Sequence, residues 1–212
     1  DFIGFTLGDR FSLHHEVADF TKHVGTQAGA SYVEYGSTYE QRPLQAVVFT
    51  HPDNLEKLED IRLQHLDRVN GGTGDAEFDE LAVVWMSYNV HGNEAVCTEA
   101  ALEVMHALAE KCAAGDPMMK RLVVLVDPCL NPDGHDRYAV WFNQHASFPP
   151  DADPNGMEHG EPWPGGRPNH YLFDLNRDWA WQKQQETQTR SALYHAWMPH
   201  VHCDYHEMGY NS

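Results

Sequence analysis

Leu81-Ala-Val-Val-Trp-Met86, then His91-Gly-Asn-Glu94 opening a helix-patterned stretch from Glu94 to Lys111, then Leu122-Val-Val-Leu-Val126, follow one another in this chain of 212 residues. An apolar strand, a crossing helix and a second apolar strand predict a parallel βαβ unit buried on both faces. Gly115-Asp-Pro117 separates the helix from the second strand. His91 and Glu94 then stand just beyond the carboxyl end of a strand, where open α/β sheets place their ligands. A histidine and a carboxylate at such a junction can grip one metal ion from two sides. Two histidines and one glutamate, with water at an open position, make a hydrolytic zinc centre. With 15 histidines and 32 acids, chance alone supplies about two histidines with an acid three places on, and this chain has one. The position of the pair is therefore informative, and its spacing is not.

Outward from this unit, Leu13, Val17, Phe20 and Val24 recur at helical spacing, which predicts a helix from Phe11 to about Gln27 with Ser12 as its cap. Ser31 to Tyr35 and Leu44 to Thr50 read as the two strands of a hairpin. A second helix is expected from Leu55 to Val69 behind an Asn54 cap, ended by Gly71-Gly-Thr-Gly74. The segment from Asn131 to Asn169 is rich in Pro, Gly, Asn and His and reads as long connecting structure. A last helix, Asp178 to Trp197, leads into a strand from Val201 to Tyr205. The two-residue period puts His200, His202, Asp204 and His206 on one face of that strand. His206 lies nearest its carboxyl end and is the favoured third ligand, with His202 next. His200 and His202 are read as hydrogen-bonded residues near a sheet edge. There is no internal repeat.

Fourteen basic against 32 acidic residues give a net charge of −18, and no basic patch is visible, which disfavours a nucleic-acid partner because phosphate binding requires Lys and Arg clusters. The acids are spread along the chain and read as a solvated surface. No apolar stretch reaches the length of a membrane span. Asp1, with no methionine before it, suggests a processed or trimmed start. The spacing of Cys97, Cys112, Cys129 and Cys203 fits neither a zinc ribbon nor a disulfide framework. The length suits one domain, 1–212.

Four motifs in order carry a resemblance: His91-Gly-Asn-Glu94, Asn131-Pro-Asp-Gly134, Asp174-Leu-Asn-Arg-Asp-Trp179 and Asp204-Tyr-His-Glu-Met-Gly209. Together they resemble the landmarks of the zinc carboxypeptidases, the carboxypeptidase A-like M14 peptidases. Gly8-Asp-Arg-Phe-Ser-Leu-His-His15 and Tyr35-Gly-Ser-Thr-Tyr-Glu-Gln-Arg-Pro-Leu44 resemble the first helix and early hairpin of bacterial members, so the likeness spans the chain. It implies a mixed, mostly parallel sheet with helices on both faces, cut short on its C-terminal side. It implies one Zn2+ on His91, Glu94 and His206, and peptide or protein C-termini as substrates held by Asn176 and Arg177. An arginine fork matches a carboxylate with two charge-assisted hydrogen bonds, and a neighbouring asparagine adds a donor. For Arg177 an ion pair with Asp174 or Asp178 is the competing expectation. Asn131 to Gly134 is read as a turn shaping the site wall. Secretion or a periplasmic location is also what the resemblance implies.

The pattern departs from the family in three places. The family's general-base glutamate lies several dozen residues past the third ligand, and its tyrosine and specificity pocket lie beyond as well. The expectation is therefore an amino-terminal portion of a larger enzyme that binds zinc and hydrolyses weakly or not at all. The carbonyl-polarising arginine has no counterpart at Asn143 to Ala146; Arg137 and Arg167 lie near enough in sequence to substitute, and Arg137 is the catalytic candidate. Asn93 stands where several members carry arginine. Glu207, as a replacement base, would point to the opposite face of its strand. Rival readings are an aspartoacylase-like zinc deacylase of N-acyl amino acids and a non-catalytic, zinc-stabilised peptide-binding module. A cut sheet edge predicts pairing with a second copy of the chain.

Overall fold

The computed structural model describes residues 2–78 and 80–208. Five strands form one sheet in the order β1-β2-β4-β3-β5: β1 Ala30–Ser37, β2 Pro43–Phe49, β3 Ala82–Tyr88, β4 Leu122–Asp127 and β5 Val201–Tyr205. β1 and β2 are an antiparallel hairpin, β2 runs antiparallel to β4, and β3 lies parallel to both β4 and β5. Four strands thus point one way and β2 the other, which is the mixed, mostly parallel sheet expected.

The alternation of side chains along β3 and β4 sorts the core into two layers. On one face Val84, Met86, Val124 and Val126 pack with Val17 and Val24 of α1 (His14–Val24) and with Ala101, Leu102 and Met105 of α4 (Val96–Ala113). On the other, Val83, Trp85, Val123 and Leu125 meet Ile61 of α3 (Leu58–Val69) and Trp197 of α6 (Gln185–Trp197). Cys97 and Cys112 are buried thiols of α4 and serve as small packing groups.

Four helix expectations need correction. Ser12 does not cap α1, because its N–H and hydroxyl both donate to the buried Glu99 carboxylate; Glu16 reaches back to accept from the N–H of Leu13 instead. The second predicted helix is two pieces, α2 (Pro52–Leu55) and α3, since Asn54 spends its amide on the Thr50 hydroxyl and the Lys120 carbonyl. The last helix begins at Gln185 and not Asp178, whose carboxylate accepts the N–H groups of Lys183 and Gln184 and holds that segment irregular. The stretch from Asn131 is not all connecting structure, for it starts with α5 (Pro132–His145). The Asn131 side chain accepts from the N–H of Gly134 and Pro132 occupies the first turn, a helix start that the Pro and Gly content hid.

Two buried histidines tie α1 and α5 to the main chain. The His14 Nε2 lies 3.1 Å from the Pro43 carbonyl and the His135 Nε2 lies 2.8 Å from the Ser12 carbonyl. Burial lowers His14 to about 4 against the opposing pull of Asp136, and burial lowers His135 too. The unfolded chain therefore binds more protons than the native one between pH 6.5 and about 4, and stability must fall as pH drops through that window. Urea unfolding at pH 7, 6 and 5 should show this acid limb, with each uncompensated proton contributing up to about 1.4 kcal/mol per pH unit. His14→Gln should flatten the limb by about one proton; an unchanged slope would rule out His14 as its source.

Candidate metal centre

β3 ends at Tyr88, and Asn89, at φ 59°, turns the chain out of the sheet while its amide donates to the carbonyls of Glu94 and Gly92. The turn delivers His91 as a buried ring and Glu94 as a half-buried carboxylate, two residues ahead of α4. On the neighbouring strand Tyr205 stacks on Tyr88 with ring centroids 4.3 Å apart, which sets the next residue, His206, beside His91. The two imidazole centroids are 4.9 Å apart.

Glu94 lies between them. Its Oε1 is 2.8 Å from the His91 Nδ1, and its Oε2 is 2.9 Å from the His206 Nδ1 and accepts from the N–H of Glu207. One ligand atom from each of the three side chains falls within 4.8 Å of the others. Burial raises the Glu94 pKa, but the bonds from His91, the Glu207 N–H and His206 outweigh it, so the carboxyl sits below its ordinary value. The far nitrogen of each ring also meets an aspartate: the His91 Nε2 lies 3.0 Å from Asp174 and the His206 Nε2 lies 3.2 Å from Asp204. Asp174 and Asp204 are placed to take an Nε2–H from each ring, which would leave both Nδ1 atoms available to a cation beside Glu94, the arrangement a metal-ligating histidine needs. Two imidazole nitrogens and one carboxylate suit zinc better than calcium or magnesium, which take oxygen ligands.

Around this group the loop from 165 to 178 supplies the cations. Arg167 pairs with Asp174 and comes within 3.8 Å of Glu94. Asn176 places its amide 3.4 Å from the His206 Nε2. Arg177 is exposed and, among the described residues, forms no ion pair with either Asp174 or Asp178. Arg137 does not join them, because its guanidinium donates to the carbonyls of Gly165 and Asn169 and braces the loop that carries Arg167. Asn93 faces away onto Glu161, and the Glu207 carboxylate accepts from the Val96 N–H. His200 accepts from the N–H of Val83, and His202 bonds Ser87 among Trp85, Trp179 and Tyr194. Both are thereby occupied, as the sequence suggested. Sequence reasoning did not single out Asp174 or Asp204 as partners of the two rings. Asp204 shares its strand face with His206 at a two-residue spacing, a signal that was available. A second group, Glu40, Asp133 and His170, already has its cation in Arg42, which pairs with Glu40, Asp133 and Asp136.

Gly92 sits where a side chain cannot. A Cβ there would lie 2.2 Å from the Gly134 carbonyl carbon and the His135 nitrogen, both main-chain atoms of α5. Gly92→Ala should therefore cost about 1–3 kcal/mol by overpacking and weaken metal binding, because the displaced loop carries His91 and Glu94. Thermal unfolding and zinc titration of the variant measure the two effects; an unchanged melting temperature would contradict the contact.

The chain belongs to the zinc carboxypeptidase family, Peptidase_M14, which matches residues 20–200. The family is zinc-dependent. Among solved structures, it is similar to a metallo-carboxypeptidase from Burkholderia cenocepacia (21% identity, TM-score 0.58, 92% of this chain and 40% of that one). Carboxypeptidase A from Helicoverpa armigera is similar at 14% identity and a TM-score of 0.59, over 97% of this chain and 47% of that one. A metallo-carboxypeptidase from Pseudomonas aeruginosa, solved in complex with (2-guanidinoethylmercapto)succinic acid, matches at 13% identity and a TM-score of 0.56, over 92% of this chain and 39% of that one. At these identities the likeness is one of fold. The chain spans less than half the length of each of these structures. No curated protein gives a significant match.

Proposed function

We propose that this chain, as a single domain over 1–212, is the metal-holding portion of a metallocarboxypeptidase that removes C-terminal residues from peptides. His91, Glu94 and His206 would hold one Zn2+. What supports the reading is one observation above all: three side chains from separate stretches of chain bring a ligand atom each within 4.8 Å of one another, beside a strand end. When bound there, zinc supplies Lewis-acid polarisation of a carbonyl and a lowered pKa for water. Arg177, exposed and unpaired among the described residues, is free to take the terminal carboxylate of a peptide, with Asn176 beside it adding an amide donor. Arg167, already near Glu94, is better disposed than Arg137 to polarise the scissile carbonyl.

Among the described residues the other carboxylates near the group are engaged: Asp174 with His91 and Arg167, Asp204 with Ser87 and His206, Glu161 with Asn93, and Glu207 with Val96. The 212 residues alone would then bind zinc and hydrolyse peptides slowly, since a missing general base costs about a hundredfold to ten-thousandfold. Titration with zinc, followed by binding of a peptide with a free and then an amidated C-terminus, tests the assignment. One ion per chain and a clear preference for the free carboxylate are expected; no zinc uptake, or equal binding of both peptides, overturns it. Acyl-amino acids serve as the competing substrate class in the same assay. A secreted or periplasmic setting and pairing of two copies along β5, whose Val201 and Tyr205 are exposed, complete the proposal. Light scattering that finds only monomer would remove the pairing.

A further inference from the structure

Asp204 lies one register step from the end of β5, opposite Ser87 of β3. The Ser87 side chain is fully buried, and its hydroxyl donates to the Asp204 Oδ1 at 2.8 Å. The same hydroxyl oxygen lies 2.9 Å from the His202 Nε2. With its proton given to Asp204, the Ser87 oxygen can accept from a His202 Nε2–H, so the direction of both bonds is fixed. The second oxygen of Asp204 is then directed at the His206 Nε2, 3.2 Å away. The outcome is a relay His202–Ser87–Asp204–His206 that crosses between two parallel strands and ends on a candidate ligand.

His206 needs such a restraint more than His91 does. His91 is 3% exposed and is gripped by Asp174 from within a packed loop, whereas His206 is on the surface just past the last strand residue. A solvent-facing imidazole has free rotation about two side-chain torsions and two neutral tautomers, and only one combination turns an Nδ1 lone pair toward Glu94. A carboxylate that takes the Nε2–H selects that tautomer and ring orientation together and makes Nδ1 a better donor. The Asn176 amide, 3.4 Å from the same nitrogen, is also a donor and cannot perform that selection.

We infer that Asp204, held by Ser87, is the positioning residue that fixes His206 as an Nδ1 metal ligand, an inference that rests on the metal centre proposed above. Zn2+ affinity of the metal-free chain, measured by competition with a chromophoric chelator, tests it in Asp204→Ala, Asp204→Asn, Ser87→Ala and His206→Ala. Asp204→Ala should bind zinc about ten- to a hundredfold more weakly, with part of the loss recovered in Asp204→Asn, whose amide oxygen still accepts. Ser87→Ala should show a smaller loss in the same direction. Long-range proton–nitrogen spectra of the zinc-loaded protein give a readout that general destabilisation does not move: His206 should bind through Nδ1 and carry its proton on Nε2 in the parent chain, and be mixed between the two nitrogens in Asp204→Ala. Affinity within about threefold of the parent in both the Asp204→Ala and Ser87→Ala proteins, or an unchanged His206 tautomer, overturns the inference. If His206→Ala also leaves affinity intact, the metal centre itself is wrong; if His206→Ala alone weakens binding, only the role of Asp204 falls.

Discussion

His91→Ala is expected to lower zinc affinity by more than about a hundredfold, beyond the ten- to hundredfold typical of losing a partner that merely orients a ligand. The ring is buried, and it meets Glu94 through one nitrogen and Asp174 through the other. Its removal takes away a donor and leaves the Asp174 carboxylate short of a hydrogen bond. Metal binding at a site of deprotonated ligands is also a proton competition, so the comparison belongs at one fixed pH. Competition with a chromophoric chelator measures the change. A variant that binds zinc as the parent does would show that His91 and Glu94 merely pair with each other.

The second large effect is on the fold. Trp85 is 1% exposed at the centre of the layer between the sheet and α6, with its ring centroid 5.6 Å from that of Tyr194. Trp85→Ala should cost about 3–5 kcal/mol through lost burial and a residual cavity. The indole Nε1 is buried with no partner among the described residues, which already costs the native state something and places the expected loss toward the lower end of that range. Trp85→Phe keeps most of the ring and deletes the unpaired N–H, and should cost under about 1.5 kcal/mol. Urea denaturation of both proteins decides the matter; an alanine variant within about 1 kcal/mol of the parent would mean that this face is not packed as described.

The central βαβ unit was legible because its strands are continuous apolar runs and its helix a long periodic one, signals that survive without knowledge of neighbours. The convergence of the candidate trio was legible for a similar reason: sheet geometry sends the ends of parallel strands to one edge, so His91 and His206 could be matched across 115 positions. What failed was local. Ser12 and Asn54 are good caps in isolation, yet distant partners, Glu99 for one and Thr50 with Lys120 for the other, claimed their polar atoms. The helix after Asn131 was hidden by its own start signals, because Asn, Pro, Asp and Gly in succession read as a turn until the N–H of Gly134 is seen donating to Asn131. Arg137 and Arg167 could not be ranked by position alone. Their difference lies in the loop carbonyls that one of them meets.

β5 is joined to the sheet through β3 alone, and none of its five residues is fully buried. Of all the strands it has the least to lose by peeling away, and the proposed third ligand, His206, follows at its tip. An ion gripped by His91 on one side and His206 on the other would act as a rivet through that loose end, closing a loop of more than a hundred residues. Cation supply and the anchoring of the outermost strand would thereby become one equilibrium, so that a chelator would act on the architecture of the edge as well as on the chemistry beside it.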